Sequence, residues 1–129
     1  MKITQLLTPI TEVHWLAATD TVRDAFDHLE SYGLNAAPLL DWNGCYVGTV
    51  TAADLHRHVD GTAANAFATA LCDVERRSRN AAVTVNREVE SLVEEASSVR
   101  FVPVVDDCNR LLGIVDRRRI LDTRLPSAA

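Results

Sequence analysis

The sequence predicts an α+β fold in which two β-α-β-β-α repeats pack together about a pseudo-twofold axis. Three landmarks of the first half, a proline, an aspartate and a glycine, recur in the second half at one offset of 65 positions. The pairs are Pro38 and Pro103, Asp41 and Asp106, and Gly48 and Gly113. Both halves also show the same order of predicted elements. Because each half is too small to bury its apolar faces alone, we expect the two to share a core.

The repeat bounds follow from these landmarks. We interpret residues 1–129 as a single module with repeat one at about 3–60, a linker at about 61–80 and repeat two at about 81–122. The offset of 65 positions does not hold across the first helix of each repeat. Val22 to Pro38 spans 16 positions, whereas Val89 to Pro103 spans 14. A shorter first helix in repeat two accounts for the difference.

The first elements of repeat one follow from local signals. Residues 3–16 mix apolar and polar positions around Thr8-Pro9, which predicts a helical turn, a break and then a strand. Thr21 and Asp24 have the spacing of a capping box. The apolar stripe that follows recurs at helical spacing and predicts a helix that ends at Gly33.

A hairpin and a second helix complete repeat one. Residues 34–40 are predicted to form a strand, and Pro38 within it implies a strand start or an edge. The turn at 41–44 contains Asn-Gly, a strong hairpin signal, so 46–50 is predicted to be the returning strand. A helix is predicted from Thr51 to about residue 59.

Repeat two is predicted from the same signals. The alanine-rich segment 63–71 favours a helix, and 76–80 is interpreted as an exposed linker. Strands are expected at 82–85, 99–105 and 111–115, and helices over 89–96 and 116–121. The tail at 126–129 is expected to fray.

Composition limits the classes of protein to which the chain can belong. Apolar residues make up 47% of it, which is enough for a buried core and argues against disorder. No apolar run approaches the roughly 18 residues that span a bilayer, and the first residues lack the pattern of a signal peptide. We therefore expect a cytoplasmic protein. Cys45, Cys72 and Cys108 show no CxxC spacing, so we expect reduced cysteines and no metal site.

The net charge of −5 is unevenly distributed. Residues 1–64 carry three basic and eight acidic side chains, whereas residues 65–129 carry ten of each. Overall acidity argues against broad nucleic-acid binding, which needs a basic face. The arginines of the second half could still act locally on a phosphate.

The stretch from Gly48 to Asp54 combines groups that can bind a ligand. Gly48 allows close backbone approach, Thr51 can cap the following helix, and Asp54 stands three residues later. A hydroxyl, exposed backbone N–H groups and a carboxylate at one helix start can hold a sugar and an anionic group. The alternative is that Thr51 and Asp54 only cap the helix, a role worth about 1 kcal/mol.

Two sequence motifs of this chain resemble those of the tandem CBS-domain pair, or Bateman module. They are an apolar-Pro-apolar-apolar-Asp strand and a Gly-x-apolar-Thr-x-x-Asp helix start, and the resemblance covers roughly residues 3–122. It implies a free-standing regulatory module that binds an adenosyl compound in a cleft between the repeats. AMP, ADP or ATP is favoured, with S-adenosylmethionine, NAD and cyclic dinucleotides as further ligands of the family.

The resemblance also implies roles for individual residues. Asp54 would accept from the ribose hydroxyls, and Thr51 would lie on the phosphate side. Thr49 would contribute mainly its backbone. The remaining nucleotide-binding residues would be Val83, Val99 and Phe101 on the base side and Arg100 near the phosphate.

The second copy of the helix-start motif departs from the pattern. Asp116 stands where Thr51 does, and Arg119 stands where Asp54 does. A carboxylate at 116 would repel a phosphate, and a guanidinium cannot accept from ribose hydroxyls. We therefore expect one competent site per chain. Residues 117–119, all arginine, either form a solvated helix turn or reach the phosphates of a ligand held elsewhere, including one in a partner chain.

These observations predict a binding module and not an enzyme, because we see no nucleophile–base pair and no metal-ligand cluster. An adenine nucleotide would act as an effector ligand, with no catalytic cofactor. By resemblance we expect a homodimer that passes its signal to an unknown effector protein, with no membrane partner. Two alternatives stay open. One is a ligand-free dimerisation scaffold, and the other is a nucleic-acid-associated module that uses the second-half arginines.

Overall fold

The computed structural model describes residues 2–61, 65–76, 80–96 and 99–122. The chain divides into two compact units. The central unit is drawn from His14–Arg79, and the terminal unit is drawn from Met1–Val13 and Asn80–Ala129. Residues 3–13, placed in repeat one by sequence, therefore pack with repeat two. The repeat bounds themselves stay a prediction.

The two units have the element order expected of a repeat. The strands are β1 (Thr8–Pro9), β2 (Leu16–Ala17), β3 (Ala36–Leu40), β4 (Tyr46–Thr51), β5 (Val83–Thr84), β6 (Phe101–Val105) and β7 (Leu111–Asp116). The α-helices are α1 (Val22–Tyr32), α2 (Ala52–Gly61), α3 (Val93–Ala96) and α4 (Arg117–Asp122). Short 3₁₀ helices lie at Ile3–Gln5, Ile10–Glu12, Ala66–Ala68, Leu71–Asp73 and Val89–Leu92. The predicted α+β fold is confirmed.

The central unit contains a three-stranded sheet in the order β2-β3-β4, with β2 parallel and β4 antiparallel to β3. Leu39 is fully buried in β3 and faces Leu16 of β2 and Gly48 of β4 in the register. Helices α1 and α2 contact each other, and α2 follows directly from β4. The apolar faces of both helices and the sheet form one core.

Helix α1 begins and ends as predicted. The Thr21 side chain accepts from the Asp24 backbone N–H at 3.1 Å, and the Asp24 carboxylate accepts from the Thr21 N–H at 3.0 Å. Gly33 ends the helix in the left-handed conformation, with φ of 62°. These short-range hydrogen bonds satisfy backbone groups that every helix end leaves free.

Pro38 lies in the middle of a central strand, so its predicted place at a strand start or edge is wrong. It faces Thr49 of β4 on one side. On the other side, β2 pairs only with Leu39 and Leu40. Because β2 is so short, a residue without an N–H is tolerated inside the strand.

The two aspartate landmarks are turn residues. Asp41 Oδ1 accepts from the backbone N–H groups of Asn43 and Cys45, both at 2.9 Å. Asp106 Oδ1 accepts in the same way from Cys108 at 2.8 Å and Arg110 at 3.0 Å. The shared offset of these aspartates therefore reflects one turn geometry used twice.

The terminal unit contains a four-stranded sheet in the order β1-β7-β6-β5. Thr8-Pro9, predicted as a break, instead forms β1 and pairs antiparallel with Ile114 and Gly113. A Cβ on Gly113 would lie 2.1 Å from the Thr8 carbonyl oxygen. Glycine is therefore needed at 113 for the close approach of the chain's own N-terminal strand.

The prediction of a helix at 63–71 is wrong for residues 65–71, which the structure describes. Residues 62–64 lie outside the described residues, and two separate 3₁₀ helices follow. Between these two 3₁₀ helices, the backbone forms hydrogen bonds with the start of α1. The Val22 N–H donates to the Thr69 carbonyl at 2.9 Å, and Ala70 forms a bridge with Thr21. These long-range hydrogen bonds override the helix propensity of alanine.

Two further predictions need correction. The helix predicted at 89–96 is a 3₁₀ helix at Val89–Leu92 followed by the one-turn α3. The predicted exposed linker is anchored at both ends. Arg76 and Asn80 are half-buried, and the Asn80 amide donates to the Phe101 carbonyl at 3.1 Å. Residues 77–79 and the tail at 126–129 lie outside the described residues.

Helix α1, at 11 residues, is the longest helix in the described ranges. No helix within these ranges has the length and apolar character needed to cross a membrane.

Candidate functional site

The start of α2 is a capping box. Thr51 Oγ1 accepts from the Asp54 backbone N–H at 3.1 Å, and Asp54 Oδ2 accepts from the Thr51 N–H at 3.2 Å. The sequence pattern Thr-x-x-Asp predicts this reciprocal pair. The capping role proposed as the alternative for these two residues is therefore present in the structure.

The environment of Asp54 differs from that of the matching aspartate on α1. The Asp54 side chain is 2% exposed and forms an ion pair with the guanidinium of Arg57, one turn later in the same helix. Asp24 occupies the same position of a capping box and is exposed. Hydrogen bonds from Thr21 lower the pKa of the Asp24 carboxyl. Capping alone therefore does not require the carboxylate to be buried.

Thr49 is buried and takes part in a side-chain hydrogen bond. Its hydroxyl lies 2.7 Å from the hydroxyl of Tyr46, three residues earlier in the same strand. Burial raises the pKa of Tyr46 to about 12, opposed by the hydrogen bond with Thr49 and by the charge of Arg76. The predicted backbone role of Thr49 toward a ligand stays a prediction.

Arg76 lies against the helix-start glycine of the central unit. A Cβ on Gly48 would come within 3.2 Å of an Arg76 guanidinium nitrogen. The same guanidinium donates to the Leu71 carbonyl at 3.4 Å. Arg76, predicted to lie in an exposed linker, therefore makes a contact that the sequence pattern does not predict. Its only sequence signal is its position at the start of a basic run.

The other predicted ligand residues lie in the terminal unit. Val83 and Phe101 are buried, in β5 and β6 respectively. Val99 is half-buried and Arg100 is exposed. Thr49, Thr51 and Asp54 belong to the central unit, so the seven residues fall into two units. Their membership of one nucleotide site stays a prediction.

A pocket of about 280 Å³ lies in the terminal unit. The described residues that line it are Arg100, Asp116, Arg117 and Arg118. The Arg117 backbone N–H donates to the Arg100 carbonyl at 3.0 Å, which holds the start of α4 beside residue 100. Arg119 is engaged elsewhere, because its guanidinium donates to the Leu6 carbonyl at 3.1 Å. We call this pocket the arginine pocket.

Metal chemistry has no candidate centre in the part of the chain that the structure describes. Within these residues no group of three or more His, Cys, Asp or Glu side chains is arranged to hold a metal ion. Cys45 is half-buried, and Cys72 and Cys108 are exposed.

Two α+β units, with a threonine–aspartate cap at the start of the helix that follows the first hairpin, are the architecture of a tandem-repeat module. The chain belongs to the CBS domain family. The sequence profile of the CBS domain matches residues 3–61 and 77–125, which include both repeats. The predicted resemblance to a tandem CBS pair is thereby confirmed, and CBS pairs are regulatory modules.

One curated relative is the inosine-5'-monophosphate dehydrogenase of Methanocaldococcus jannaschii. The two are 33% identical over 122 residues, which are 93% of this chain and 23% of the relative. The chain thus corresponds to less than a quarter of that enzyme.

Two solved structures share the fold. CbpB in complex with c-di-AMP is 20% identical, with a TM-score of 0.82 and coverage of 95% of this chain and 83% of that one. CBSX2 in complex with AMP, a CBS-pair protein of Arabidopsis thaliana, is 22% identical. Its TM-score is 0.78, and the match covers 95% of this chain and 94% of CBSX2.

Proposed function

We propose that the chain is a regulatory module that binds an adenosyl ligand, with AMP, ADP or ATP favoured. The Asp54 carboxylate accepts from the ribose hydroxyls, and Thr51 lies on the phosphate side. The observation that carries this proposal is the burial of Asp54 at a helix start, where a cap alone does not require it. In this account no reaction is catalysed.

The chemistry of Asp54 supports the assignment to ribose. A carboxylate is an acceptor only, with about four lone-pair positions on its two oxygens. Arg57 supplies a charged N–H donor to Oδ1, and a sugar hydroxyl can supply a neutral O–H donor to the same oxygen. Because Arg57 is 34% exposed, its side chain can turn toward solvent and leave Oδ1 to the ribose.

The relatives support the choice of ligand class. The structure of CBSX2 contains AMP, and that of CbpB contains c-di-AMP. Both ligands carry adenosine and phosphate. The assignment of Val83, Val99 and Phe101 to the base and of Arg100 to the phosphate is part of our proposal. So are a cytoplasmic location, a homodimer and a separate effector protein that receives the signal.

A thermal-shift screen of the full chain tests this proposal. The ligands are AMP, ADP, ATP, S-adenosylmethionine, NAD and c-di-AMP, with GMP and inosine monophosphate as base controls. A ligand at 100 times its Kd stabilises the folded state by about 2.7 kcal/mol. For a chain of this length the expected rise in Tm is about 8 °C. If none of the adenosyl ligands raises Tm, the proposal is wrong.

A ligand-free dimerisation scaffold is the second candidate. The observation that favours it is that the capping box and Arg57 already engage the Asp54 carboxylate. It predicts a dimer by analytical ultracentrifugation, together with no change of Tm across the ligand panel. The nucleic-acid alternative rests on the second-half arginines and predicts steeply salt-dependent binding to oligonucleotides.

A further inference from the structure

The turn between β3 and β4 contains the dipeptide Asn43-Gly44, which the proposed function does not use. Backbone hydrogen bonds close this turn. The Asp41 N–H donates to the Cys45 carbonyl, and the Gly44 N–H donates to the Asp41 carbonyl, both at 3.0 Å. Gly44 has a φ of 81°, in the left-handed region that glycine adopts readily. Asn43 therefore precedes a glycine inside a closed hairpin turn.

The side chain of Asn43 is accessible to chemistry. The residue is exposed, and within the described ranges its side-chain amide takes part in no hydrogen bond. Its backbone N–H, by contrast, donates to Asp41 Oδ1 at 2.9 Å. The turn therefore fixes the main chain of Asn43 and leaves its carboxamide group in solvent.

An asparagine that precedes a glycine can lose its side-chain amide without an enzyme. The deprotonated backbone nitrogen of the glycine attacks the side-chain carbonyl carbon, so a C–N bond forms and a cyclic imide results. The departing amide nitrogen takes up the proton that the glycine nitrogen lost and leaves as ammonia. Water then opens the imide at either carbonyl and gives aspartate or isoaspartate. Glycine favours ring closure because it has no Cβ to obstruct the attack.

The matching turn of the terminal unit is an internal comparison. The Asp106 N–H donates to the Arg110 carbonyl at 3.0 Å, and the Asn109 N–H donates to the Asp106 carbonyl at 3.1 Å. Asn109 occupies the position of Gly44, with a φ of 64°. It is followed by Arg110, whose side chain hinders ring closure, and the sequence contains no second Asn-Gly. The two turns share their geometry and differ in this chemistry.

We propose that Asn43 is a site of spontaneous deamidation and that the Asp41 turn sets its rate. The nitrogen that must attack is the Gly44 nitrogen, whose N–H donates to the Asp41 carbonyl. The closed turn therefore protects Asn43, and each opening of the turn exposes it. The Asp41 side chain keeps the turn closed, because its Oδ1 accepts from the N–H groups of Asn43 and Cys45, both at 2.9 Å.

The products alter the turn in two ways. Both place a carboxylate at residue 43, beside the Asp41 carboxylate that accepts from the N–H of the same residue, and like charges repel. In isoaspartate the main chain also runs through the β-carbon, which lengthens the connection between Leu40 and Tyr46, two residues that pair across the hairpin. Deamidation therefore weakens the hairpin whose second strand leads into α2.

Peptide mapping of the full chain by mass spectrometry, after incubation at mildly alkaline pH, tests this proposal. We expect the peptide with Asn43 to gain the mass difference between OH and NH2 and to separate into an aspartate and an isoaspartate form. The peptide with Asn109, mapped in the same sample, should stay unchanged. In Asn43→Gln the longer side chain would have to form a larger ring, so this matched variant should stay unmodified over the same period.

Two further comparisons test the protective role of the turn. Asp41→Ala should deamidate at Asn43 severalfold faster than wild type, whereas Asp106→Ala, which loosens the other turn, should leave the rate at Asn43 unchanged. Melting curves check that both variants fold. The wild-type chain unfolded in urea gives a second measurement that needs no variant, and it should deamidate at Asn43 faster than the folded chain.

Three results would overturn the proposal. They are a peptide with Asn43 that keeps its mass after prolonged incubation, equal conversion of Asn43 and Asn109, and a rate at Asn43 that is no higher in urea than in the folded chain. None of these measurements involves a nucleotide, so their outcome is independent of the proposed adenosyl site.

Discussion

The guanidinium of Arg57 contacts the carboxylate of Asp54 one turn earlier in α2, so the buried end of that helix contains its own ion pair. Asp54 is 2% exposed, whereas Arg57 is 34% exposed. The aspartate is fixed by the capping box with Thr51, and the arginine reaches it from the solvent side. Any hydroxyl that donates to Oδ1 of Asp54 competes with Arg57.

This competition gives the first prediction. Arg57→Gln should tighten AMP binding, because the ribose no longer displaces a cation from Asp54. The same change should lower the free energy of unfolding by about 2 kcal/mol, since a buried carboxylate loses a donor. Calorimetry with AMP and urea denaturation measure the two effects. If Arg57→Gln weakens AMP binding as well as lowering the free energy of unfolding, Arg57 contributes to the AMP site and the prediction is wrong.

The second prediction concerns Tyr46, whose pKa burial raises to about 12. In the unfolded chain the phenol ionises near pH 10. In the folded state the Tyr46 phenol therefore stays protonated to a higher pH than in the unfolded chain. The stability due to this difference is complete below about pH 10 and is lost as the pH rises toward 12.

Tyr46→Phe therefore has a pH-dependent effect. At about pH 8 the variant loses the hydrogen bond with Thr49 and should be less stable by about 1 kcal/mol. The gap between wild type and variant should narrow at about pH 11. Urea denaturation at both pH values measures it, with Tyr32→Phe as an exposed control. An equal gap at the two pH values would contradict the burial of the phenol.

The third prediction concerns the pairing of β1 with β7. Gly113→Ala places a Cβ against the Thr8 carbonyl oxygen, which belongs to backbone and cannot rotate away. We expect the free energy of unfolding to fall by about 3 kcal/mol. Gly61→Ala is the matched control, because a Cβ there meets nothing within 4 Å. Thermal unfolding of both variants makes the comparison, and equal Tm values would argue against the close approach.

Short-range features of the fold could be predicted from the sequence. The cap of α1 by Thr21 and Asp24, its end at Gly33 and the turns at Asp41 and Asp106 each depend on residues within a few positions of one another. The repeat was visible because these turns and the following glycines share one offset. Local hydrogen bonding determines such features without the help of long-range contacts.

Long-range pairings could not be predicted in this way. The pairing of Thr8 with Ile114 joins two parts of the chain that lie far apart in sequence. The 3₁₀ helices at 66–68 and 71–73 depend on hydrogen bonds to the start of α1, which no alanine-rich pattern reveals. In both places tertiary contacts override local preference.

The candidate site was predictable only in part. The spacing of Thr51 and Asp54 predicts the cap, and the spacing of Asp54 and Arg57 permits a pair within one helix. The burial of Asp54 and the contact of Arg76 with Gly48 depend on packing around the sheet, which the sequence does not display. The arginine pocket likewise joins residue 100 to residues 116–118 across two strands.

The most direct test of the proposed function compares two aspartates that occupy the same capping position on different helices. AMP is titrated by calorimetry into wild type, Asp54→Asn and Asp24→Asn, and melting curves confirm that each protein is folded. Our account predicts that wild type and Asp24→Asn bind AMP with the same affinity and that Asp54→Asn loses at least tenfold. Unchanged AMP binding by folded Asp54→Asn would contradict it.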